Sequence, residues 1–424
     1  QQVYPITDEK ITLRLWYPFA DSLGELNDFN ESEFFQWYEE KTNIKIDFIM
    51  PAVGGEKDAF NLLFASDNMP DMIYMLDRGD GSGYTYRGGE DKAIEDGYFV
   101  DLNDYSNLMP NYMSWVNNGA ESGFKRAAFT DTGKMYAMWG VWDAMGDKVM
   151  ADQGLSIRKD FLDKVGKEVP ETYDEWYEVL KAFKDELGIE APLYTSKYGI
   201  DVTGEMMAGF GTAPYFYKDG ETIKYGPLDY GYKEYLTMLN KWYSEGLLDN
   251  DLPTRNSIGF SADKDMILND KVGACVDWGT RLSDTYISRG ASNTDLWVVA
   301  APQPVKDGIT PKYRQIIGDD LTTSHGMLFS ADSKYIEEAV KWNDGFYAKD
   351  VYLNANYGLE SQEGTVWNKA EDGHRIGNYD FRFSNPNGLS SATVLAKYWT
   401  KNPPVRVEAA QIEQADENKQ AAYP

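Results

Sequence analysis

The sequence first offers chemistry at a charged pair that follows an apolar run. Residues Met72 to Leu76 are apolar, and Asp77 and Arg78 come directly after them. In an open α/β sheet, the carboxyl ends of the strands border the crevice where ligands bind. A carboxylate and a guanidinium placed there could hold a polar ligand by accepting and donating hydrogen bonds. The alternative is a strand that ends in ordinary solvated charges, and the pair alone does not decide between the two.

Motifs that many hydrolases and nucleotide-binding enzymes need are missing. The two histidines, His325 and His374, lie far apart and neither begins a His-Glu-x-x-His motif, which argues against a catalytic zinc site. The chain has no Walker loop, no Gly-x-Ser-x-Gly elbow and no EF-hand loop. We therefore expect no cofactor and no catalytic metal. A glycosidase needs only two carboxylates, so the sequence does not exclude that class of enzyme.

Composition points away from nucleic acid as a partner. The 41 basic and 69 acidic residues give a formal net charge of -28, which repels phosphate backbones and anionic membrane surfaces. The 12 Trp and 30 Tyr residues combine an apolar ring face with a polar group. Such side chains suit surfaces that are both wet and apolar.

Length and cysteine content indicate two domains without cross-links. A chain of 424 residues exceeds the size at which one hydrophobic core keeps growing. The single cysteine, Cys275, forms no internal disulfide and fits a small core residue, a pattern that suits an exported protein without proving export. No stretch reaches the roughly 18 apolar residues that span a bilayer. The chain begins with Gln1 rather than Met, as expected if a leader or anchor has been removed.

The elements that must position these residues alternate between strand and helix in the N-terminal part. The predicted order is strand Ile11–Trp16, helix Asn30–Lys41, strand Ile44–Met50, a helix from about Lys57 to Ser66, and strand Met72–Leu76. This β-α-β-α-β order predicts a largely parallel sheet with right-handed crossovers.

The rest of the chain is predicted to contain more helix. A capping box at Thr172 and Glu175 starts a helix that ends before Gly188. The other predicted elements are a helix from about Tyr232 to Glu245, strands Val272–Val276 and Trp297–Ala301, a helix Lys334–Ala348, and a loop from Tyr357 to Asn378. The last fifteen residues are predicted to form a surface helix or a frayed tail.

Several segments together resemble one known family. The matching segments are ITLRLW at 11–16, EEKTNIKIDF at 39–48, FASDNMPDMIYM at 64–75, GYFVDLNDY at 97–105, GKMYAMWG at 133–140, LSIRKDFLDKVGKEVPETYDEWYEVLKAF at 155–183, KVGACVDWGTRL at 271–282 and AVKWNDGFYAKDVYLNANYGLE at 339–360. They resemble family 1 of the extracellular solute-binding proteins of ABC importers, which includes maltose- and oligosaccharide-binding lipoproteins of Gram-positive bacteria. The segment 155–183 is the most specific of them.

The resemblance implies a fold and a function. The expected fold is α/β, two-lobed and periplasmic-binding-protein-like, with a ligand cleft between an N-terminal lobe (1–138 and 302–350) and a C-terminal lobe (139–301 and 351–424). The expected function is that of a binding protein, not an enzyme, which captures an oligosaccharide as the lobes close and delivers it to a membrane permease. Such a protein is expected to be extracellular, anchored as a lipoprotein, and monomeric.

The resemblance also implies which residues contact the sugar. Aromatic rings suit the apolar face of a pyranose, while carboxylates and arginines bond to its hydroxyls. The expected ligand-binding residues are Tyr17, Asp77, Arg78, Trp139, Trp142, Asp143, Trp278, Asp320 and Trp367. For Trp139 packing at the crossover is an alternative role, and Tyr17, Asp320 and Trp367 could be ordinary surface residues.

Other functions stay open at this point. A carbohydrate-active enzyme would also bind sugar, and a sensor or adhesin could use the same fold. A peptide or another solute could replace the sugar as ligand. Labelled oligosaccharides that bind reversibly without turnover would exclude the enzyme.

Overall fold

A computed structural model defines the architecture of the protein. It describes residues 2–66, 68–76, 83–118, 124–143, 153–196, 199–200, 204, 206–254, 264–278, 298–311, 322–359, 366–369, 381–384, 396–398, 400 and 403–407. Within these residues, no helix combines the length and the apolar character that crossing a bilayer requires.

The described residues form a mixed set of strands and helices. The strands are β1 Ile11–Trp16, β2 Ile44–Ile49, β3 Met72–Leu76, β4 Met138–Asp143, β5 Gln153–Arg158, β6 Ala191–Tyr194, β7 Phe216–Asp219, β8 Thr222–Tyr225, β9 Val272–Trp278, β10 Val298–Ala300, β11 Thr322–Phe329, β12 Val366–Lys369, β13 Phe381–Ser384 and β14 Val405–Val407. The α-helices are α1 Glu33–Thr42, α2 Glu56–Leu63, α3 Glu90–Glu95, α4 Pro110–Asn118, α5 Phe124–Ala127, α6 Lys159–Val165, α7 Tyr173–Leu187, α8 Tyr230–Ser244, α9 Lys264–Leu268, α10 Ile336–Gly345 and α11 Lys349–Tyr357.

Local signals account for the elements that the sequence predicted. β1 and β3 have the predicted bounds. Helix α7 begins after Thr172, whose hydroxyl accepts the N–H of Glu175 at 3.2 Å while the Glu175 carboxylate accepts the N–H of Thr172 at 2.9 Å. It ends where Gly188 takes a left-handed φ of 69°, a conformation that glycine adopts without steric cost.

Contacts divide the described residues into two compact units. The first comprises residues within Gln1–Val149 and Gly318–Gln414, and the second comprises residues within Met150–Ile317. This division differs from the predicted lobes, because 139–149 and 351–414 were expected in the C-terminal lobe and 302–317 in the N-terminal lobe. The physical reason is strand pairing, since β14 pairs with β4 and α11 packs on β14.

The first unit is built on a six-stranded sheet of order β14-β4-β11-β3-β1-β2. β1, β2 and β3 are parallel, as predicted, but β11 runs antiparallel between β3 and β4. Five of the six strands therefore run in the same direction, as predicted, and β11 is the one reversed strand of this sheet. Helix α1 packs through Tyr38, whose hydroxyl donates to the Trp342 carbonyl at 2.7 Å and whose ring lies 4.9 Å from that of Phe346.

The second unit is built on a four-stranded sheet of order β10-β5-β9-β6. Its core contains side chains from α6, α7 and α8 together with the sheet strands. The largest buried side chain of α7 is Trp176. β9 lies in the middle of the sheet, antiparallel to β5 and parallel to β6. Cys275 is buried in β9, as the sequence predicted.

A glycine in β9 lets α7 approach the second sheet closely. A Cβ atom at Gly273 would lie 2.5 Å from the Phe183 ring and 2.6 Å from the Pro192 carbonyl oxygen. We expect Gly273→Ala to lower the free energy of unfolding by about 2 kcal/mol, because a packed core accepts an added carbon only by shifting its neighbours. Urea denaturation followed by tryptophan fluorescence measures this change.

Gly55 provides the control for this substitution. A Cβ there would meet only the Ala52 carbonyl oxygen at 3.4 Å, and its φ is -110°, so Gly55→Ala should cost no more than the difference between glycine and alanine as N-cap residues, about 1 kcal/mol. Equal stabilities of the two variants would contradict the close packing of Phe183 on β9.

One predicted loop contains a strand. The segment Tyr357 to Asn378 was predicted to be a loop, but β12 lies within it and pairs in antiparallel register with β13. The segment is rich in Gly and Asn, which favoured the loop prediction, and its strand has only four residues. The partner strand begins at Phe381, beyond the segment. The last fifteen residues lie outside the described part of the chain.

Candidate functional site

The ends of several strands meet at one edge of the first sheet. β1, β3 and β4 run in the same direction, because β1 is parallel to β3 and β11 is antiparallel to both β3 and β4. β14 is parallel to β4 and ends at the same edge. We call this the carboxyl edge; it also holds the end of β2 and the start of β11.

The carboxyl edge brings together sequence positions that are far apart. Tyr17 follows β1, Leu76 ends β3, and Trp142 and Asp143 end β4. Asp77 and Arg78 come directly after Leu76 in the sequence, and they lie outside the described residues, as does Asp320. Tyr17, Trp142 and Asp143 thus lie at the ends of strands that point to the same edge, with β11 between β3 and β4.

Tyr17 lies beneath this edge rather than on an open surface. Its side chain is 3% exposed. Its ring makes edge contacts with Phe19 and Phe29 at centroid distances of 4.7 and 5.1 Å, and with Tyr74 at 5.5 Å. This packing favours a supporting role for Tyr17.

Trp139 is packed between strands in the same way. It is 9% exposed and lies opposite Gly326 of β11. A Cβ at Gly326 would come within 3.1 Å of the Trp139 ring, so the glycine makes room for the indole. Of the two roles that the sequence left open for Trp139, this position favours packing.

The remaining predicted residues are placed through their backbones. In β4, Trp142 is in register with Arg406 of β14, and Asp143 with Val407. Trp278 ends β9 in the second unit and pairs with Gln153 of β5. Trp367 lies in β12 and pairs with Phe383. The side chains of these four predicted residues lie outside the described part of the structure.

Two residues near the carboxyl edge, Arg406 and His325, were not among the predicted contacts. Arg406 is half-buried in β14, and the His325 ring lies 6.0 Å from the Tyr74 ring. His325 pairs with Leu76, the last residue of β3. The only local signal for Arg406 is its place between two valines, which is strand alternation. The position of Arg406 beside β4 depends on pairing between distant parts of the chain, which local sequence does not reveal.

The phenols at this edge stay neutral at physiological pH. Burial raises the pKa of Tyr17 well above its usual value, and a hydrogen bond with Thr400 opposes the shift. Burial also raises the pKa of Tyr74, with the nearby Tyr17 adding to the shift and Arg406 opposing it. Both phenols are buried beneath the edge and are uncharged parts of its support, while Arg406 adds a half-buried guanidinium. A guanidinium can donate hydrogen bonds to a neutral or to an anionic ligand.

Two tyrosines hold β4 in place from behind. The Trp139 N–H donates to the Tyr112 hydroxyl at 3.2 Å, and the Tyr347 hydroxyl donates to the Trp139 carbonyl at 2.7 Å. Tyr112 belongs to α4, and Tyr347 follows α10. The Asp344 carboxylate of α10 accepts the Tyr112 N–H at 2.8 Å and the Asn111 side-chain amide at 2.8 Å. Asp344 thereby fixes the two helices that support β4.

A cavity of about 520 Å³ lies elsewhere in the first unit. Its lining includes Tyr4, Lys41, Trp115 and Asp350. Lys41 lies in the last turn of α1, which leads into the start of β2, so this cavity is at the amino edge of the sheet. Among the described residues, no group of three or more His, Cys, Asp or Glu side chains could hold a metal ion.

The chain is similar in sequence to two proteins of Bacillus subtilis strain 168. It is 30% identical to lipoprotein LipO over 245 residues, which covers 53% of this chain and 42% of LipO. It is 22% identical to the polygalacturonan/rhamnogalacturonan-binding protein YtcQ over 352 residues, 79% of this chain and 63% of YtcQ. The chain thus matches less than two thirds of the length of each relative. No model of a known protein family matches it.

Solved structures share the fold over almost the whole chain. The alginate-binding protein AlgQ2 without calcium has a TM-score of 0.70 at 20% identity, covering 99% of this chain and 83% of AlgQ2. The S. pneumoniae ABC-transporter substrate-binding protein FusA, in complex with kestose, has a TM-score of 0.68 at 18% identity, covering 97% of this chain and 82% of FusA. Both confirm the two-lobed α/β fold that the sequence predicted. The sequence similarity to LipO and YtcQ and the shared fold agree with the predicted resemblance to the family 1 extracellular solute-binding proteins.

Proposed function

We propose that the chain is the extracellular substrate-binding component of an ABC importer, which captures an oligosaccharide and delivers it to a membrane permease. The observation that carries the proposal is the similarity to YtcQ over 79% of the chain, joined to the fold of AlgQ2 and FusA. The names of all three proteins refer to sugar ligands or to binding of sugar polymers. The lipoprotein LipO supports an extracellular, membrane-anchored location, and we propose a monomer.

The carboxyl edge of the first sheet is the proposed ligand-binding wall of the first unit. Asp77, Arg78, Trp142 and Asp143 are its proposed sugar contacts, while Tyr17 and Trp139 support it from beneath. Asp320 and Trp367 are further proposed contacts. Trp278 is the proposed stacking residue of the second unit.

A neutral sugar is the proposed ligand class. Alginate and polygalacturonan are polymers of uronic acids, whereas kestose is uncharged, so the similar proteins do not decide the charge of the ligand. The net charge of -28 opposes the approach of a polyanion.

Loss of a proposed contact should weaken sugar binding while the fold is kept. We expect Asp143→Ala to raise the dissociation constant by about tenfold or more, because removal of a buried hydrogen-bonding partner costs about 1–3 kcal/mol. Trp278→Ala should have at least as large an effect, because it deletes a large apolar surface. Isothermal titration calorimetry with the tightest neutral oligosaccharide of a glycan panel measures both changes.

Controls for these variants come from the same residue types elsewhere. Asp131→Ala removes an exposed carboxylate, and Trp37→Ala removes a half-buried indole of α1. Circular dichroism and melting temperature establish that each variant is folded. A folded Asp143→Ala or Trp278→Ala protein that binds as tightly as the parent would remove that residue from the site.

A further inference from the structure

The second unit exposes a concentrated apolar surface on a β-hairpin. Of the twelve large hydrophobic residues that are exposed in the described part of the chain, six lie within residues 215–230. Phe216 is 72% exposed and Ile223 is 66% exposed in the hairpin itself, and Leu228 is 85% exposed beyond it. Exposed apolar residues that are scattered singly need no explanation, but a cluster marks an interaction surface. We call β7 and β8 the aromatic hairpin.

Strand register places the exposed residues on one face of the hairpin. Phe216 pairs with Tyr225, and Lys218 pairs with Ile223. All four side chains are exposed, and the rings of Phe216 and Tyr225 lie 4.8 Å apart at an interplanar angle of 41°. Side chains alternate between faces along a strand. The outer face of the hairpin thus consists of two aromatic rings, one isoleucine and one lysine.

The opposite face fixes the hairpin to the second unit. Tyr217 is buried, and its hydroxyl donates to the Asp229 carboxylate at 2.7 Å. The Thr212 hydroxyl lies 3.1 Å from the same carboxylate and 3.0 Å from the Gly226 carbonyl oxygen. A Cβ at Gly226 would overlap the Ala213 carbonyl oxygen at 1.7 Å, so the chain can pass here only with glycine. The aromatic rings are therefore presented on an anchored ribbon.

Charge narrows the choice of what this face binds. Lys218 and Lys224 balance Asp219 and Glu221 within Phe216–Tyr225, and Lys224 pairs with Asp219 at 2.6 Å. The rest of the chain is strongly acidic, since the total is -28. A second copy of the chain or an anionic membrane would meet repulsion over the surrounding surface. An uncharged polymer would not.

We propose that the aromatic hairpin is a second contact for long neutral glycan chains, separate from the site that takes short oligosaccharides. The apolar C–H faces of sugar rings pack on Phe216 and Tyr225, and the Tyr225 hydroxyl bonds to sugar hydroxyls. This inference rests on the proposed function. Under this proposal, the aromatic hairpin of the second unit contacts a polymer but not its short fragments, so the protein binds the two with different affinities.

The test compares polymers with their own short fragments. The probes are three matched pairs of neutral sugars: inulin with kestose, xylan with xylotetraose, and galactan with galactotetraose. Polymer binding is measured by affinity electrophoresis and fragment binding by calorimetry. For a pair that the parent protein binds, the double variant Phe216→Ala/Tyr225→Ala should lose about tenfold in affinity for the polymer and keep its affinity for the fragment.

A matched variant controls for loss of an exposed apolar side chain. Leu62 is 66% exposed on α2 of the first unit, so Leu62→Ala should bind polymer and fragment as the parent does. Unchanged polymer affinity of the double variant, or equal losses for polymer and fragment, would overturn the inference. Dimerisation in sedimentation velocity, or binding to anionic vesicles, that disappears with the two rings would also overturn it. If the parent binds no sugar of any pair but binds a peptide, the proposed function itself fails.

Discussion

Replacing Asp344 by alanine is expected to lower the free energy of unfolding by about 3 kcal/mol. The carboxylate is fully buried and accepts hydrogen bonds from the Asn111 N–H, the Asn111 side-chain amide and the Tyr112 N–H at 3.3, 2.8 and 2.8 Å. Two of these donors are backbone N–H groups in the first turn of α4. The first turn of a helix offers such groups no acceptor within the helix. Each buried donor that loses its acceptor costs about 1–3 kcal/mol. Urea denaturation of the parent and the variant measures the difference.

Asp350 offers a matched control for this substitution. Its side chain is 65% exposed and pairs with Lys41 at 3.3 Å, so Asp350→Ala should cost no more than about 0.5 kcal/mol. Equal losses for the two variants would contradict the role of Asp344 in joining α4 to α10.

The same carboxyl group makes stability depend on pH in a defined direction. Burial raises the pKa of Asp344 from 3.8 to about 6, against the opposing hydrogen bonds. The folded protein therefore holds this proton more tightly than the unfolded chain does. The resulting stabilisation is present below pH 3.8 and is lost as the pH rises through about 6.

Asp344→Asn isolates this effect because it keeps an acceptor oxygen and removes the titration. The stability of the parent relative to Asp344→Asn should decrease by about 3 kcal/mol between acid and neutral pH. Urea denaturation at a series of pH values measures it. A difference that stays constant over this range would show that the Asp344 pKa is not raised.

Replacing Asn356 by alanine should cost about 2 kcal/mol and loosen β14. Asn356 is buried in α11. Its side-chain amide donates to the Val405 carbonyl oxygen at 2.8 Å, and its amide oxygen accepts the Val407 N–H at 2.9 Å. Both backbone groups of β14 lose their partner in the variant, which is the reason for the cost. Hydrogen exchange at Val407, together with urea denaturation, measures the change.

Asn354 in the same helix gives the control. It is half-buried, and Asn354→Ala should leave exchange at Val407 unchanged. If Asn356→Ala exchanges at Val407 as slowly as the parent does, the side chain does not hold β14 against the sheet.

Local patterns were enough to predict the elements whose limits are set by neighbouring residues. The capping box at Thr172 and the left-handed Gly188 define α7, and the apolar run of β3 defines a buried strand. β11 was missed because its first residues, Thr322 to His325, are polar and its partners β3 and β4 come from distant parts of the chain. β14 was missed because it has three residues and depends on Asn356 and on its pairing with β4.

The residues of the candidate site likewise fall into those that local sequence could predict and those that depend on long-range contacts. The strand that ends before Asp77 could be read from the sequence, and so could the strand that contains Cys275 and ends at Trp278. That Arg406 is in register with Trp142 could not be read, because it depends on pairing across more than half of the chain. The burial of Tyr17 was not predicted either, because it results from rings of several elements that meet beneath the edge.

The most direct test of the proposed function measures binding and turnover in one sample. The protein is titrated with a panel of neutral and acidic oligosaccharides by calorimetry, and the sugar is then recovered and analysed by mass spectrometry. The proposal predicts saturable binding of at least one neutral oligosaccharide, recovered with its mass unchanged. Cleavage of the bound sugar would show a carbohydrate-active enzyme, and binding of a peptide library in the absence of any sugar binding would contradict the oligosaccharide ligand.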